Sequence, residues 1–468
     1  MKFEEIESGI KELTEKPIKP IPEETIAKIK KKLIEKCPKS QELFEEMKNC
    51  VPGGYEHQLL INDPFTLTVK SALGSKIWDV DDNEYTDFLN GAGAVILGHN
   101  YPPLRDAVIE VMQNIDSACY FTNEYELKAI KEIKKHVPSI KLFKFFQSGT
   151  EADMCAIRLA RAFTKKKRIV KIGGGYHGWS DQLTFDMHVP FSGDMESNGI
   201  PRHCYRNTIA VPPNDLEAME EVFKKEKKKG IAGVILEPLG PESGNIPVSP
   251  DFNKGVEELC RKYDSLLIFD EVVTGFRMGL GGAQAYFGVE PDLTTFGKIL
   301  THGHPSAGGV GGREDVMSLL AAGIEPGDKV MATGTMLGNP ISTAACYHTL
   351  KILEKENVPE KAEKTAVKLV KKLNDLFESH GVPYFSYNFR SVFQYKTYAP
   401  INMDIRIPGN IQKALYRNEC VNNIALAMLS QGVVTKRGAS GFASLAHTDE
   451  DVEKFIQAFD NVLKMIPH

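Results

Sequence analysis

The chain has 468 residues, a net charge of −5 and 25% charged residues. This length predicts two or three packed units rather than one ordinary domain, and the mild charge gives no general case for binding nucleic acid or an anionic membrane. The eight cysteines show no CxxC pair and no metal-ligand spacing, which favours small buried thiols in a reducing cytoplasm and no metal site.

The first residues, MKFEEIESGIKEL, are charged from the start and lack the apolar region of a signal peptide. No run in the sequence approaches the roughly 18 apolar residues that a membrane span requires. We therefore expect a soluble, cytoplasmic protein.

Residues 1–50 are predicted to form a helical segment. Apolar residues recur there at helical spacing, with a break at the prolines of KPIKPIP: Phe3, Ile6, Ile10 and Leu13, then Ile26, Ile29 and Leu33. Such a segment packs against the body of the protein or against a partner subunit, and an independent binding module is the alternative.

Residues 51–89 are predicted to form the N-terminal part of a small domain. VPGGYEHQLL (51–60) indicates a turn followed by an extended piece, and residues 65–69 and 76–79 alternate as strands do. The polar residues 81–83 then form a turn.

From about residue 102 helices and short apolar strands alternate, which predicts an α/β fold with a mostly parallel sheet. The predicted strands are 142–146, 169–172, 232–236, 266–269 and 293–296, and the predicted helices are 151–163, 251–263, 341–355 and 360–379. We assign residues 90–340 to a large domain, and residues 341–468 join the small domain as its C-terminal part.

Two of these strands end at residues that suit one kind of chemistry. Asp270 follows Leu266–Phe269, and Lys298 follows Leu293–Phe296 after a glycine. The carboxyl ends of strands in such sheets open on the ligand crevice. A lysine amine and a carboxylate in one crevice suit pyridoxal 5'-phosphate, since the lysine forms a Schiff base and the acid pairs with the protonated ring nitrogen. The alternative is a capped strand and a solvated lysine.

Three blocks of sequence, DEVVTGFR, LGGAQAYFGVEPDLTTFGK and ATGTMLGNP, resemble the class III pyridoxal-phosphate-dependent aminotransferases of fold type I. Within that family they are most similar to the branch of glutamate-1-semialdehyde 2,1-aminomutase and related amino-acid aminotransferases. The resemblance covers about residue 52 to the C-terminus. It implies a large domain with a mostly parallel, seven-stranded sheet, a smaller α/β domain, and pyridoxal 5'-phosphate as cofactor.

Ser148, Gly149 and Thr150 follow a predicted strand and open a helix, where unpaired backbone N–H groups and the helix dipole favour a phosphate. Taken alone, SGTE is only a helix cap with the pattern of a capping box. The resemblance implies that these three residues bind the cofactor phosphate. Gln147 stands where the family pattern leads us to expect an asparagine.

The resemblance assigns further contacts to the cofactor ring. Tyr176 stacks on one face and Val272 presses on the other, while Glu237 organises the surroundings of the ring. His177 is either a hydrogen-bonded support or a proton-transfer group. After substrate displaces it, Lys298 is the general base over the reacting carbon atoms.

Gly334 and Thr335 match the family block whose threonine reaches the phosphate of the neighbouring subunit. The resemblance therefore implies a homodimer with its active sites at the interface.

The segment before the C-terminal block departs from the aminomutase pattern. Aminomutases carry a glutamate there, whereas this chain has Arg437-Gly438-Ala439-Ser440. Arg437 resembles the arginine with which β-amino-acid aminotransferases of this class grip a substrate carboxylate, and a surface arginine is the alternative. The segment THGHPSAGG after Lys298 also departs from the usual glycine-rich form.

These features predict an aminotransferase that moves an amino group between an α- or β-amino acid and a 2-oxo acid. The alternative is an isomerase, either a glutamate-1-semialdehyde 2,1-aminomutase-like enzyme or an amino-acid epimerase, which would use the same lysine and ring. A regulatory protein without turnover is disfavoured because Lys298, Asp270 and Tyr176 are all present.

Overall fold

The computed structural model describes residues 2–57, 63–193, 195–323, 325, 327 and 329–467. By its internal contacts the chain divides into two units. The terminal unit comprises Met1–Tyr101, Glu360–Met403 and Pro408–His468, and the central unit comprises Pro102–Pro359 and Asp404–Ile407.

Both limits of the central unit lie later in the chain than the predicted 90 and 340. Asn90 belongs to the terminal unit, where its side-chain amide donates to the carbonyl of Phe442 at 2.5 Å. The helix Pro340–Glu356 belongs to the central unit, because it packs along the helices Pro102–Asn114 and Glu124–His136. Sequence periodicity reveals an element but not its packing partner, so these limits follow from tertiary contacts.

The strands of the described residues are β1 Val69–Leu73, β2 Lys76–Asp79, β3 Glu84–Asp87, β4 Leu142–Phe146, β5 Arg168–Ile172, β6 Thr208–Val211, β7 Ile231–Leu236, β8 Leu266–Glu271, β9 Leu293–Phe296, β10 Gly308–Gly312, β11 Phe385–Phe389, β12 Val392–Lys396, β13 Val433–Val434 and β14 Ser440–Phe442.

The helices of the same residues are α1 Phe3–Glu15, α2 Glu23–Lys36, α3 Pro38–Met47, α4 Asn90–Gly93, α5 Pro102–Asn114, α6 Glu124–His136, α7 Gly149–Thr164, α8 Arg202–Tyr205, α9 Leu216–Lys225, α10 Pro241–Gly244, α11 Phe252–Lys262, α12 Gly282–Phe287, α13 Glu314–Met317, α14 Pro340–Glu356, α15 Val358–Ser379, α16 Asn410–Ser430 and α17 Asp449–Leu463.

Seven strands from the described part of the central unit form one sheet in the order β4-β10-β9-β8-β7-β5-β6. β10 is antiparallel to both of its neighbours, and the pairs β9-β8, β8-β7, β7-β5 and β5-β6 are parallel. The prediction of a mostly parallel, seven-stranded sheet is confirmed. β6 and β10 were not predicted, and β10 reads GGVGG, which lacks the apolar run that reveals a buried strand.

Helices cover both faces of this sheet. Because side chains alternate between the faces of a strand, Ile268 and Leu293 join the apolar cluster under α7, whereas Leu267 and Phe269 join the cluster under α9 and α11. All six residues of β8 are buried. Asp270, two residues after Ile268, therefore lies in a dry environment on the face of the sheet that α7 covers.

The terminal unit contains the sheets β1-β2-β3-β13 and β11-β12-β14. The two predicted N-terminal helical stretches correspond to α1 and α2, and a third helix, α3, follows them. Ile26, Ile29 and Leu33 of α2 lie in the main apolar cluster of this unit. The strand predicted from residue 65 begins only at Val69, and part of the extended piece predicted in 51–60 lies outside the described residues.

Two further expectations concern buried thiols and membrane spans. Cys155, Cys260 and Cys346 are buried free thiols, as predicted. Among the described residues, every helix is too short or too polar to cross a bilayer.

Candidate active site

Five of the predicted site residues lie at one edge of the central sheet. Ser148 follows β4, Tyr176 follows β5, Glu237 follows β7, Asp270 is the penultimate residue of β8 and Lys298 follows β9. Since β4 and β9 are each antiparallel to β10, β4 runs in the same direction as the parallel strands, so all five carboxyl ends face the same way. This edge is the position of the ligand crevice in open α/β sheets.

Asp270 is held from two sides. Its Oδ2 lies 2.7 Å from Nδ1 of His177, and its Oδ1 accepts a hydrogen bond of 3.0 Å from the backbone N–H of Val272. His177 is 0% exposed and Asp270 5% exposed, so the pair is shielded from water. In this structure the contact of His177 is that of a support for the carboxylate.

A second buried acid, which the sequence analysis did not single out, lies beside this pair. This acid is Asp153 of α7. One of its carboxyl oxygens, one carboxyl oxygen of Asp270 and one ring nitrogen of His177 all lie within 4.8 Å of one another. The hydroxyl of Thr295 donates to Oδ1 of Asp153 at 2.7 Å. The sequence does hold a signal, because Asp153 interrupts the stripe of small apolar residues that α7 turns towards the sheet.

Lys298 begins a short 3-10 turn immediately after β9 and Gly297. Its φ is +46°, an uncommon conformation for a residue other than glycine, asparagine or aspartate. An ideal Cβ on Gly297 would lie 2.8 Å from Cγ1 of Val272, and one on Gly149 would lie 2.7 Å from Cγ2 of the same residue. Val272 therefore packs between the start of α7 and the approach to Lys298.

The N-terminus of α7 is capped as the sequence predicts. The hydroxyl of Ser148 accepts a hydrogen bond from the N–H of Glu151 at 3.3 Å, and α7 has 16 residues, so its first turn offers unpaired N–H groups beside a strong dipole. Thr150 abuts Gly178, whose φ is +77° and whose ideal Cβ would lie 2.6 Å from Cβ of Thr150.

The chain departs from the family pattern at Gln147, just before this helix, and in the segment THGHPSAGG. These two departures contact each other. The hydroxyl of Ser306, in the segment THGHPSAGG, donates to Oε1 of Gln147 at 2.5 Å. Burial lowers the pKa of His304 in the same segment. The longer side chain at position 147 therefore has a partner in the segment that replaces the glycine-rich loop.

Glu237 organises the loop that carries Tyr176. Its carboxylate accepts backbone hydrogen bonds from Tyr176 at 3.0 Å, from Glu242 at 2.8 Å and from Ser243 at 2.6 Å. Glu242 and Ser243 have φ of 49° and 56°, which turns both N–H groups towards the acid. Burial raises the pKa of Glu237. The ring of Tyr176 itself is 37% exposed and lies 5.4 Å from that of His188.

A buried lysine, also not predicted, supports the same loop. Nζ of Lys171 donates to the carbonyls of Gly175 at 2.8 Å, Leu183 at 3.0 Å and Phe185 at 2.9 Å. Its side chain is 0% exposed, and burial lowers its pKa to about 8. The sequence does indicate this residue, because a lysine within the buried strand RIVKI is unusual.

Other predicted residues lie elsewhere in the described structure. Gly334 and Thr335 are exposed residues of the central unit. Arg437 belongs to the terminal unit, where it sits with φ of 51° in the turn between β13 and β14.

The residues at the sheet edge fit pyridoxal 5'-phosphate. The start of α7 offers donors to a phosphate in a cradle that a side chain at Gly178 would fill. Asp270 offers a buried carboxylate that could pair with a protonated ring nitrogen, and Lys298 offers an amine directly after the neighbouring strand β9.

Comparison with known proteins agrees with this geometry. Residues 61–385 match the family aminotransferase class-III. The chain is 39% identical over 437 residues to a glutamate-1-semialdehyde 2,1-aminomutase of Natranaerobius thermophilus, covering 91% of this chain and 97% of that protein.

Solved transaminase structures resemble most of the chain. An omega-transaminase from Sphaerobacter thermophilus is 27% identical with a TM-score of 0.81, covering 91% of this chain and 97% of that one. A β-phenylalanine aminotransferase from Variovorax paradoxus is 28% identical with a TM-score of 0.78, covering 94% and 97%. The chain therefore belongs to the class III aminotransferases and is a pyridoxal-phosphate-dependent enzyme of fold type I.

Proposed function

We propose that this enzyme moves an amino group within one molecule, as an isomerase of the glutamate-1-semialdehyde 2,1-aminomutase type. The observation that carries the proposal is the 39% identity over 437 residues to an enzyme of that name. This favours the isomerase over the intermolecular aminotransferase that the sequence analysis put first.

The predicted site residues have defined tasks in this proposal. When bound, pyridoxal 5'-phosphate supplies an aldehyde for covalent attachment of amines and a ring that withdraws electrons from the reacting carbon. Lys298 would hold the cofactor through its amine and, once substrate has displaced it, would take up and return the proton at the reacting carbon. Asp270 faces the ring nitrogen, and His177 and the N–H of Val272 orient its carboxylate.

The remaining contacts fix the plane and the phosphate of the cofactor. Tyr176 stacks on the ring, and its backbone is anchored on Glu237 at 3.0 Å. Val272 presses on the opposite face. Ser148, Gly149 and Thr150 bind the phosphate at the N-terminus of α7.

An aminotransferase acting on a β-amino acid is the second candidate, and Arg437 favours it. The chain has an arginine where the aminomutase pattern has a glutamate, and a guanidinium binds a carboxylate through two parallel hydrogen bonds. The 28% identity to the β-phenylalanine aminotransferase of Variovorax paradoxus supports this candidate too.

One experiment separates the two candidates. Holoenzyme is mixed with single amino acids, or with glutamate-1-semialdehyde, in the absence of any acceptor. An isomerase converts its substrate over many turnovers without releasing an oxo acid. Release of one equivalent of oxo acid, with the cofactor left in its pyridoxamine form, would overturn the proposal in favour of the aminotransferase.

We further propose that the active unit is a cytoplasmic homodimer. Three large side chains of the central unit are strongly exposed, with Tyr120 at 84%, Phe121 at 78% and Trp179 at 77%. Aromatic residues are enriched at protein interfaces relative to the rest of the surface. Light scattering should give twice the chain mass of 52.0 kDa, and a mass of one chain would contradict the homodimer.

A further inference from the structure

We propose that Asp153 is a neutral carboxylic acid that donates a hydrogen bond to Asp270 and so keeps the buried pair at a single negative charge opposite the cofactor ring nitrogen. Asp153 is then a positioning residue, which acts on the ring through Asp270. The inference rests on the proposed position of the ring nitrogen beside Asp270.

The fold itself brings the two acids together. Asp270 is the register partner of Thr295 on the adjacent parallel strand, so their side chains point to the same face of the sheet. Ile268 and Leu293, two residues earlier on each strand, lie in the apolar cluster under α7. Asp270 and Thr295 therefore face α7, where Asp153 lies on the buried side of the helix.

The hydrogen bonds of Asp153 leave one proton to be accounted for. Its Oδ1 accepts the hydroxyl of Thr295 at 2.7 Å, and a carboxyl oxygen of Asp153 lies within 4.8 Å of one of Asp270. Two carboxylates have no donor between them, so a hydrogen bond between the two side chains places a proton on one of the acids. Asp270 already accepts from the N–H of Val272 and contacts Nδ1 of His177, as a carboxylate does.

Burial and charge assign that proton to Asp153. It is 1% exposed, and the titratable groups that surround it are Asp270, Glu237 and His177. Burial, followed by the charge of Asp270, raises the pKa of Asp153 well above its usual range. Two adjacent buried carboxyls share one proton because like charges in a low dielectric repel strongly.

A shared proton has a consequence for the cofactor. With Asp153 neutral, the pair of Asp153 and Asp270 carries one negative charge. That charge balances the one positive charge of the protonated ring nitrogen. The hydrogen bond from Asp153 also supplies a donor to a lone pair of Asp270 that does not face the ring nitrogen. The polarity of the ring environment is thus set from α7 as well as from β8.

The test uses holoenzyme and two substitutions at this position. Asp153→Asn keeps the shape and an N–H donor towards Asp270, whereas Asp153→Val removes the donor. The first measurement is the infrared band of a protonated carboxylic acid, which we expect in the wild-type enzyme at neutral pH and expect to be lost in Asp153→Asn. Absence of that band from the wild-type enzyme overturns the proposal.

The second measurement is the nitrogen resonance of cofactor labelled with ¹⁵N in the ring. We expect Asp153→Asn to leave it in place and Asp153→Val to shift it. Equal resonances in the wild-type enzyme and Asp153→Val overturn the inference. If Asp153→Val does not fold, a shifted resonance in Asp153→Asn overturns it instead.

Asp270→Asn distinguishes this inference from the proposed site. A shift in Asp270→Asn without one in Asp153→Val refutes only the role of Asp153. An unchanged resonance in Asp270→Asn refutes the position of the ring nitrogen, and with it both proposals.

Discussion

Nδ1 of His177 lies 2.7 Å from Oδ2 of Asp270, and both side chains are buried. His177 lies in the loop after β5 and Asp270 lies in β8, and these two strands are separated in the sheet by β7. The contact fixes the direction of the carboxylate on which the proposed chemistry depends.

Substitution of Lys298 by alanine should abolish covalent attachment of the cofactor. The amine at the end of β9 is the group that we expect to condense with the aldehyde. Reduction with borohydride followed by mass spectrometry should show the added cofactor mass in the wild-type enzyme and none in Lys298→Ala. Lys225→Ala, at an exposed lysine of α9, serves as the control and should keep the adduct.

Removal of the Asp270 carboxylate should lower turnover strongly. Loss of one partner from a buried ion pair costs on the order of 3 to 5 kcal/mol. If this loss falls on the transition state, kcat/KM of Asp270→Ala drops several hundredfold or more. The phosphate site at α7 is unchanged, so cofactor should still bind. Activity within tenfold of wild type would contradict the role of Asp270, and the exposed Asp251→Ala is the matched control.

A methyl group at position 178 should disturb the phosphate site. Gly178→Ala would bring Cβ to 2.6 Å from Cβ of Thr150, at a φ of +77°. Gly288→Ala imposes a similar φ of +64° with no atom of the described structure within 4 Å, so it controls for backbone strain alone. We expect Gly178→Ala to weaken cofactor binding at least tenfold and Gly288→Ala to leave it unchanged, as measured by equilibrium titration of apoenzyme. Equal affinities would argue against a phosphate at Thr150.

The buried Lys171 should give the free energy of unfolding a characteristic pH dependence. Its pKa is lowered by burial from 10.5 to about 8, so between these values the unfolded chain binds the proton and the folded chain does not. The unfolded state then binds more protons, and stability from this group rises as the pH increases through that window. Urea unfolding at several pH values should show this rise in the wild-type enzyme.

Lys171→Met removes the titrating group and keeps most of the side-chain length. The unfolding free energy of wild type minus that of Lys171→Met should therefore become more positive as the pH rises from 8 towards 10.5, the ordinary pKa of lysine. A difference that stays constant across that range would show that Lys171 is not shielded in solution.

Substitution of Arg437 tests the proposed grip on a substrate carboxylate. Loss of a charge-assisted hydrogen bond costs about 2 kcal/mol, which corresponds to roughly thirtyfold in affinity. We expect Arg437→Ala to raise KM by this order while kcat changes less. Arg437→Lys keeps the charge but loses the two-pronged geometry, so its KM should lie between those of wild type and Arg437→Ala. Unchanged KM values would return Arg437 to a structural role.

The sequence by itself determined the family and the cofactor of this protein. Asp270 and Lys298 each come at the end of a short apolar run. Such runs form buried strands because the side chains on both faces of the strand are apolar. The blocks around them also carried the family, which the comparison confirms. Local signals of this kind can be recognised in the sequence because they depend only on residues that are neighbours in the chain.

Only the tertiary structure decided which distant residues meet. Asp153 and Thr295 are 142 positions apart, and Gln147 and Ser306 are 159 apart. Their contacts depend on which strands pair, in what register, and over which strands α7 lies. A one-residue change of register would turn Thr295 to the opposite face of the sheet and away from Asp153. Contacts between remote residues thus follow from packing, which neither composition nor periodicity specifies.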